Sequence, residues 1–186
     1  MLNMKALAVG ELATCCYIVW DDAARGCVVI DPGAEPERIR QACEGRKIEA
    51  ILLTHGHFDH IGGVRELARD GVEILIHRED APMLTSPELN ASWLVGDAVT
   101  APQATRTVRE GERITYVGVT FTVLHTPGHT PGGVCYQTGQ WLFTGDTLFH
   151  GGYGRTDLPG GSMQQLADSL RRLYPMARQF EIFPGH

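Results

Sequence analysis

Thr54-His55-Gly56-His57-Phe58-Asp59-His60 lies between the apolar run Ala50-Ile51-Leu52-Leu53 and a segment that carries Ile61, Val64, Leu67 and Ala68 at helical spacing. The apolar run reads as a buried strand and the spacing after it predicts a helix over 61–69, so the histidines occupy a strand-to-helix loop. Four potential metal donors fall within these six residues, 55–60. In extended backbone His55 and His57 point to the same side, because side chains alternate with period two, while the turn into the helix aims Asp59 and His60 elsewhere. One pair can serve one ion and the other pair a second. Imidazole nitrogens with a carboxylate oxygen suit zinc, and also manganese or iron, better than they suit a metal that selects thiolates.

Outward from this loop the chain reads as two similar blocks of strands, each followed by a helix. Residues 7–9, 16–20 and 27–30 are apolar and β-branched and are separated by turn residues, which predicts an antiparallel meander that ends at Asp31-Pro32-Gly33. A surface helix is expected over 35–43, with Pro36 in its first turn, and a strand over 74–76. Residues 78–105, rich in Pro, Ser, Thr and Ala, read as a loop with short helices. Residues 115–124 alternate around Gly118 as a hairpin does, 133–136, 141–143 and 182–183 read as strands, and 163–173 as an amphipathic helix. Strands outnumber helices, and the order predicts two sheets with helices outside, an α/β (α+β) architecture in one domain over 1–186.

The 186 residues carry a net charge of −6 with 43% hydrophobic side chains, enough for a core without staples and a poor basis for gripping phosphate backbones. No nucleic acid partner is expected. Cys15, Cys16, Cys27, Cys43 and Cys135 are odd in number and contain no CxxC pair, so neither a disulfide framework nor a zinc ribbon is readable and a reducing compartment fits. Glu11 interrupts the apolar N-terminal run and no stretch approaches the ~18 apolar residues of a membrane span. A soluble cytoplasmic protein, a monomer or homodimer acting on a small molecule without a membrane, is the expectation.

Three further donors sit in Gly-rich turns after apolar strands: His129 in Pro127-Gly128-His129-Thr130-Pro131-Gly132, Asp146 in Thr144-Gly145-Asp146-Thr147, and His186 in Pro184-Gly185-His186. Singly each is a weak signal; jointly with the first cluster they make a ligand set. His77 and His125 read as strand-end residues, His150 as a loop residue, and Cys15 and Cys16 as small buried strand residues.

The order HxHxDH, then His, then Asp, then His is complete here and resembles the metallo-β-lactamase superfamily. Val29-Ile30-Asp31-Pro32-Gly33 and Gly154-Arg155-Thr156-Asp157 are similar to its glyoxalase II-like members. The resemblance implies the metallo-β-lactamase fold, an αββα sandwich with two divalent metal ions at one edge, Zn2+ first and Fe or Mn as alternatives. It assigns His55, His57 and His129 to one ion, Asp59, His60 and His186 to the other, and Asp146 to a bridge, with Asp31 beside the site as an indirect partner. It implies a hydrolase that cleaves a thioester such as a hydroxyacylglutathione, by attack of a metal-bridging hydroxide with Asp59 and Asp146 as catalytic residues. Two divalent ions, two ligand carboxylates and one hydroxide leave about +1 on the cluster, so it stays electrophilic. Tyr153 and Arg155 fall in the stretch that binds substrate in glyoxalase II, and Arg155 suits a substrate carboxylate as well as it suits a pair with Asp157. These residues carry neither the helical C-terminal domain nor the Lys of glyoxalase II, and similar proteins run past the position of His186. The alternative from the same superfamily is a persulfide dioxygenase with one iron on His55, His129 and Asp146; lactone or other ester hydrolysis is a further one.

Overall fold

The structure is a computed structural model and describes residues 1–69 and 71–186. Its first sheet holds six strands in chain order: β1 (Leu2–Val9), β2 (Thr14–Asp21), β3 (Gly26–Ile30), β4 (Lys47–Leu52), β5 (Glu73–His77) and β6 (Arg106–Val108). β1 to β3 form the antiparallel meander, with Leu7 opposite Cys16 and Tyr17 opposite Ile30. From β3 to β6 the pairing is parallel, which needs crossovers. Helix α1 (Pro36–Ala42) makes the first, and α2 (Phe58–Ile61) with α3 (Val64–Leu67) makes the second. The second sheet is built from β7 (Arg113–Tyr116), β8 (Val119–His125), β9 (Val134–Thr138) and β10 (Trp141–Gly145), antiparallel throughout. A small hairpin of β11 (Leu148–Phe149) and β12 (Gly152–Tyr153) follows, then α4 (Met163–Ala177), and β13 (Glu181–Pro184) returns to lie parallel beside β10.

Side-chain alternation sets the layers. Val28, Ile30, Leu52 and Leu75 face Phe121, Val123, Tyr136 and Phe143 in the core between the sheets. Their strand neighbours Cys27, Val29, Ile51 and Ile74 point the other way, onto Ile39 of α1 and Val64 and Leu67 of α3. On the far side Cys135 and Leu142 meet Leu166, Leu170 and Leu173 of α4. The αββα sandwich expected from the motif is the observed architecture. Among the described residues no helix is long and apolar enough to cross a membrane.

The sequence reading departs from the structure in a few places. The helix expected over 61–69 is two short helices, because Gly63 turns to donate its N–H to the Pro32 carbonyl at 2.8 Å and the chain docks there on the turn after β3. A Cβ at Gly62 would strike the Gly33 carbonyl oxygen, so this contact needs glycine. The periodicity had the buried face right and the continuity wrong. α4 runs on through Pro175, since Met176 and Ala177 extend the same apolar face. β6, with two of its three residues exposed, has no alternation to read.

Candidate metal centre

Every donor sits on a loop or short helix that leaves the C-terminal end of a strand at one edge of the sandwich. His55 and His57 follow β4, Asp59 and His60 lie on α2, His129 follows β8, Asp146 follows β10 and His186 follows β13. The sequence places these seven up to 131 positions apart; the two sheets bring them together. Ligating atoms of His55, His57 and His129, all buried, lie within 4.8 Å of one another, with His57 Nδ1 2.9 Å from His129 Nε2. Asp59, His60 and His186 form a second such group. In it Asp59 Oδ2 is 3.1 Å from His186 Nε2 and 3.5 Å from His60 Nε2. Asp146 stands between the groups. Its Oδ2 is 3.5 Å from both His129 Nε2 and His186 Nε2, and its Oδ1 is 3.4 Å from His60 Nε2.

Buried polar atoms are nearly always hydrogen-bonded. Here His55 Nε2, His57 Nε2, His60 Nε2 and Asp146 Oδ1 are buried without a partner. Orphaned nitrogens and a carboxylate oxygen on the same two donor groups fit divalent cations. The opposite ring atoms are held. His129 Nδ1 donates to the Arg155 carbonyl at 2.8 Å and His186 Nδ1 to the Leu12 carbonyl at 3.1 Å, which turns Nε2 of each ring to the centre. His55 Nδ1 lies 3.0 Å from the Thr54 hydroxyl. Asp31 lies behind these rings, accepting from His60 Nδ1 at 3.0 Å and from the Thr54 N–H and hydroxyl at 2.8 and 2.6 Å. Its backbone is left-handed, φ 49°, a conformation that Asp tolerates and that turns the carboxylate inward at the end of β3.

Electrostatics divide the two groups. Burial, then the neighbouring imidazoles, pushes His55 well below its ordinary value, and burial followed by His129 lowers His57 to about 3. Both rings are therefore neutral. Burial opposes ionisation of Asp59 and Asp146, but His60 and His186 outweigh it and hold both carboxyls below the usual range. Burial likewise opposes a charge on His60, and Asp59, Asp146 and Asp31 overcome it; the hydrogen bond to Asp59 raises His186. In the second group protons on two histidines balance the carboxylates, the charge that a cation supplies on displacing them.

The donors open into a cleft of about 400 Å³ walled by Leu12, Phe58, Leu94, Val95 and Leu158, with His57, Asp59, His129, Asp146 and His186 at its floor. Arg155 lines this cleft, but its guanidinium pairs with both Asp157 oxygens at 2.7 Å. Tyr153 is half-exposed on β12 and is not among the described residues that line it. Sequence reasoning missed Asp80. Fully buried, with its carboxyl pushed up to about 6 by burial, it accepts from the Gly56 N–H at 3.2 Å, the Thr130 hydroxyl at 2.7 Å and the Gly132 N–H at 2.6 Å. It thereby ties the His55–His57 loop to the His129 loop. His77 and His125 stack at 4.1 Å at the strand ends expected of them, away from the seven donors.

A sequence model described as the metallo-beta-lactamase superfamily matches residues 9–186. The chain belongs to the metallo-beta-lactamase superfamily. Within the superfamily it is 36% identical to hydroxyacylglutathione hydrolase GloC of Haemophilus influenzae, over 100% of this chain and 91% of that protein. The crystal structure of the BLEG-1 B3 metallo-beta-lactamase superposes with a TM-score of 0.92 at 33% identity, covering 99% of this chain and 91% of that one. TTHA1623, solved in a di-iron-bound form, gives 0.86 at 37% identity over 98% of this chain and 91% of that one. The superfamily fold is thus the αββα sandwich described above.

Proposed function

We propose that this chain is a metal-dependent hydrolase that cleaves a thioester such as a hydroxyacylglutathione. Its ions, Zn2+ first with Fe or Mn as alternatives, would be held by His55, His57 and His129 and by Asp59, His60 and His186. The observation that carries the reading is Asp146, one oxygen of which lies 3.5 Å from a nitrogen of each donor group. Divalent ions bound there polarise a carbonyl and bring the pKa of water from ~15.7 towards ~7. The chain's own residues supply the rest. Asp59, ionised and lining the cleft, would hold one ion and orient the attacking water, while the Thr14 hydroxyl, donating to Oδ2 at 3.0 Å, keeps the carboxylate in place. Asp31 and Thr54 fix the His60 and His55 rings. Leu12, Phe58, Leu94 and Val95 shield the reacting carbonyl from bulk water.

The likeness to a hydroxyacylglutathione hydrolase supports a thioester, and lactones or other esters need the same carbonyl chemistry. Elemental mass spectrometry on protein purified without chelator tests the proposal, followed by a thioester panel. Two divalent ions per chain with turnover of a thioester are expected. One iron per chain, with oxygen uptake on glutathione persulfide, overturns it in favour of a dioxygenase using His55, His129 and Asp146.

A further inference from the structure

The cleft over the donors continues into a second lobe. This lobe, of about 430 Å³, is walled by Val9, Leu12, Thr14, Phe58, Val95 and Val99 and edged by Glu11 and Asp97. Leu12, Phe58, Asp59 and Val95 line both lobes, so a substrate held at the donors has direct access to it. Two independent features define what fits. The first is charge. Among the described residues no Lys or Arg lines the second lobe, whereas Glu11 and Asp97 place two carboxylates at its edge. Arg155, the cation of the neighbouring lobe, is closed on Asp157.

The second is exposed apolar surface at the mouth. Leu12, Leu94 and Val95 are 51%, 46% and 52% exposed, and contiguous apolar side chains left in water mark a binding surface. The surface is held in shape. Buried Asn90 donates to the Met83 and Val99 carbonyls at 3.0 and 2.8 Å and accepts from the Ser92 N–H at 3.0 Å, which clamps both ends of the segment that presents Leu94 and Val95.

We propose that the second lobe receives the end of the substrate remote from the scissile bond, and that this end is apolar with a neutral or cationic tip. Glu11 and Asp97 disfavour anionic groups there, so in a hydroxyacylglutathione the hydroxyacyl end enters the lobe and the glutathionyl carboxylates lie outside it. The proposal rests on the hydrolase reading only for which bond is cleaved.

The test uses non-hydrolysable thioethers that share an N-acetylcysteamine head and end in butyl, aminobutyl or carboxypropyl, titrated into methyl-labelled protein as purified. The expected result is that butyl and aminobutyl tails shift the Leu12, Val95 and Val99 methyl resonances and bind about tenfold more tightly than the carboxylate tail. The Glu11→Gln, Asp97→Asn double variant, altered only at exposed positions, narrows that gap. Equal affinity for the carboxylate tail, methyl shifts confined to other residues, an unchanged gap in the double variant, or no binding by any of the three overturns the proposal. Because thioethers report binding alone, failure to hydrolyse any thioester defeats the hydrolase reading and leaves this result standing.

Discussion

Asp80 is held in a fully buried position by three donors, and burial raises its carboxyl from the ordinary 3.8 to about 6. An acid whose folded pKa is raised contributes fully below its unfolded value, and that contribution is lost as pH climbs through the folded one. Ionisation of Asp80 at neutral pH therefore costs the fold about 3 kcal/mol, of which about 1.4 kcal/mol falls between pH 5 and 7.5. Asp80→Asn removes that cost. It also sets an amide NH2 against the Gly56 N–H, where a protonated carboxyl oxygen still accepts, at an expense of about 1–2 kcal/mol at every pH. The variant is therefore close to wild type in stability at pH 5 and more stable by about 1.4 kcal/mol at pH 7.5. Urea unfolding followed by tryptophan fluorescence, on chelator-treated protein so that metal release plays no part, measures both. A gap that is the same at the two pH values, or that turns against the variant as pH rises, refutes the reasoning. Turnover falls in the same variant, because Gly56 sits between His55 and His57 and loses its anchor.

Asp146→Ala abolishes turnover and lowers metal content, read by elemental mass spectrometry. Gly185→Ala does the same through a Cβ that meets Asp146 Oδ1 and the His60 ring, with far-ultraviolet circular dichroism left as in wild type. Leu166→Ala, which empties a fully buried site between α4 and the second sheet, lowers unfolding free energy by about 2–5 kcal/mol in urea titrations. Arg155→Ala removes an exposed ion pair and changes stability by less than about 1 kcal/mol, with KM for a neutral thioester unchanged in steady-state assays.

The strand-to-helix loop at 54–60 and the Gly-rich turns around His129, Asp146 and His186 were legible because donor type and loop position are both local properties. The meander, most strands of both sheets and α4 as far as residue 173 followed from periodicity for the same reason, whereas β6 did not. Asp80 was not legible. Its three partners come from residues 56, 130 and 132, and nothing in the polar stretch around it distinguishes a clamp from a surface acid. Leu12, Leu94 and Val95 escaped notice because exposed apolar residues in loops carry no period; only the closing of the sandwich sets them around one cleft. The break at Gly62–Gly63 depends on a carbonyl supplied by Pro32, a contact invisible to a window that slides along one segment.

Asp59, His60 and His186 meet only when β13 has joined β10 and the Gly185 carbonyl has accepted the Cys15 N–H at 2.7 Å. A ribosome adding residues at about 5–20 per second completes the His55, His57 and His129 group well before it reaches residue 186. The emerging chain therefore offers one group of donors early and withholds the other until β13 has been made. Unpairing of β13 from β10 therefore costs the second group its His186 while the residues of the first keep their places.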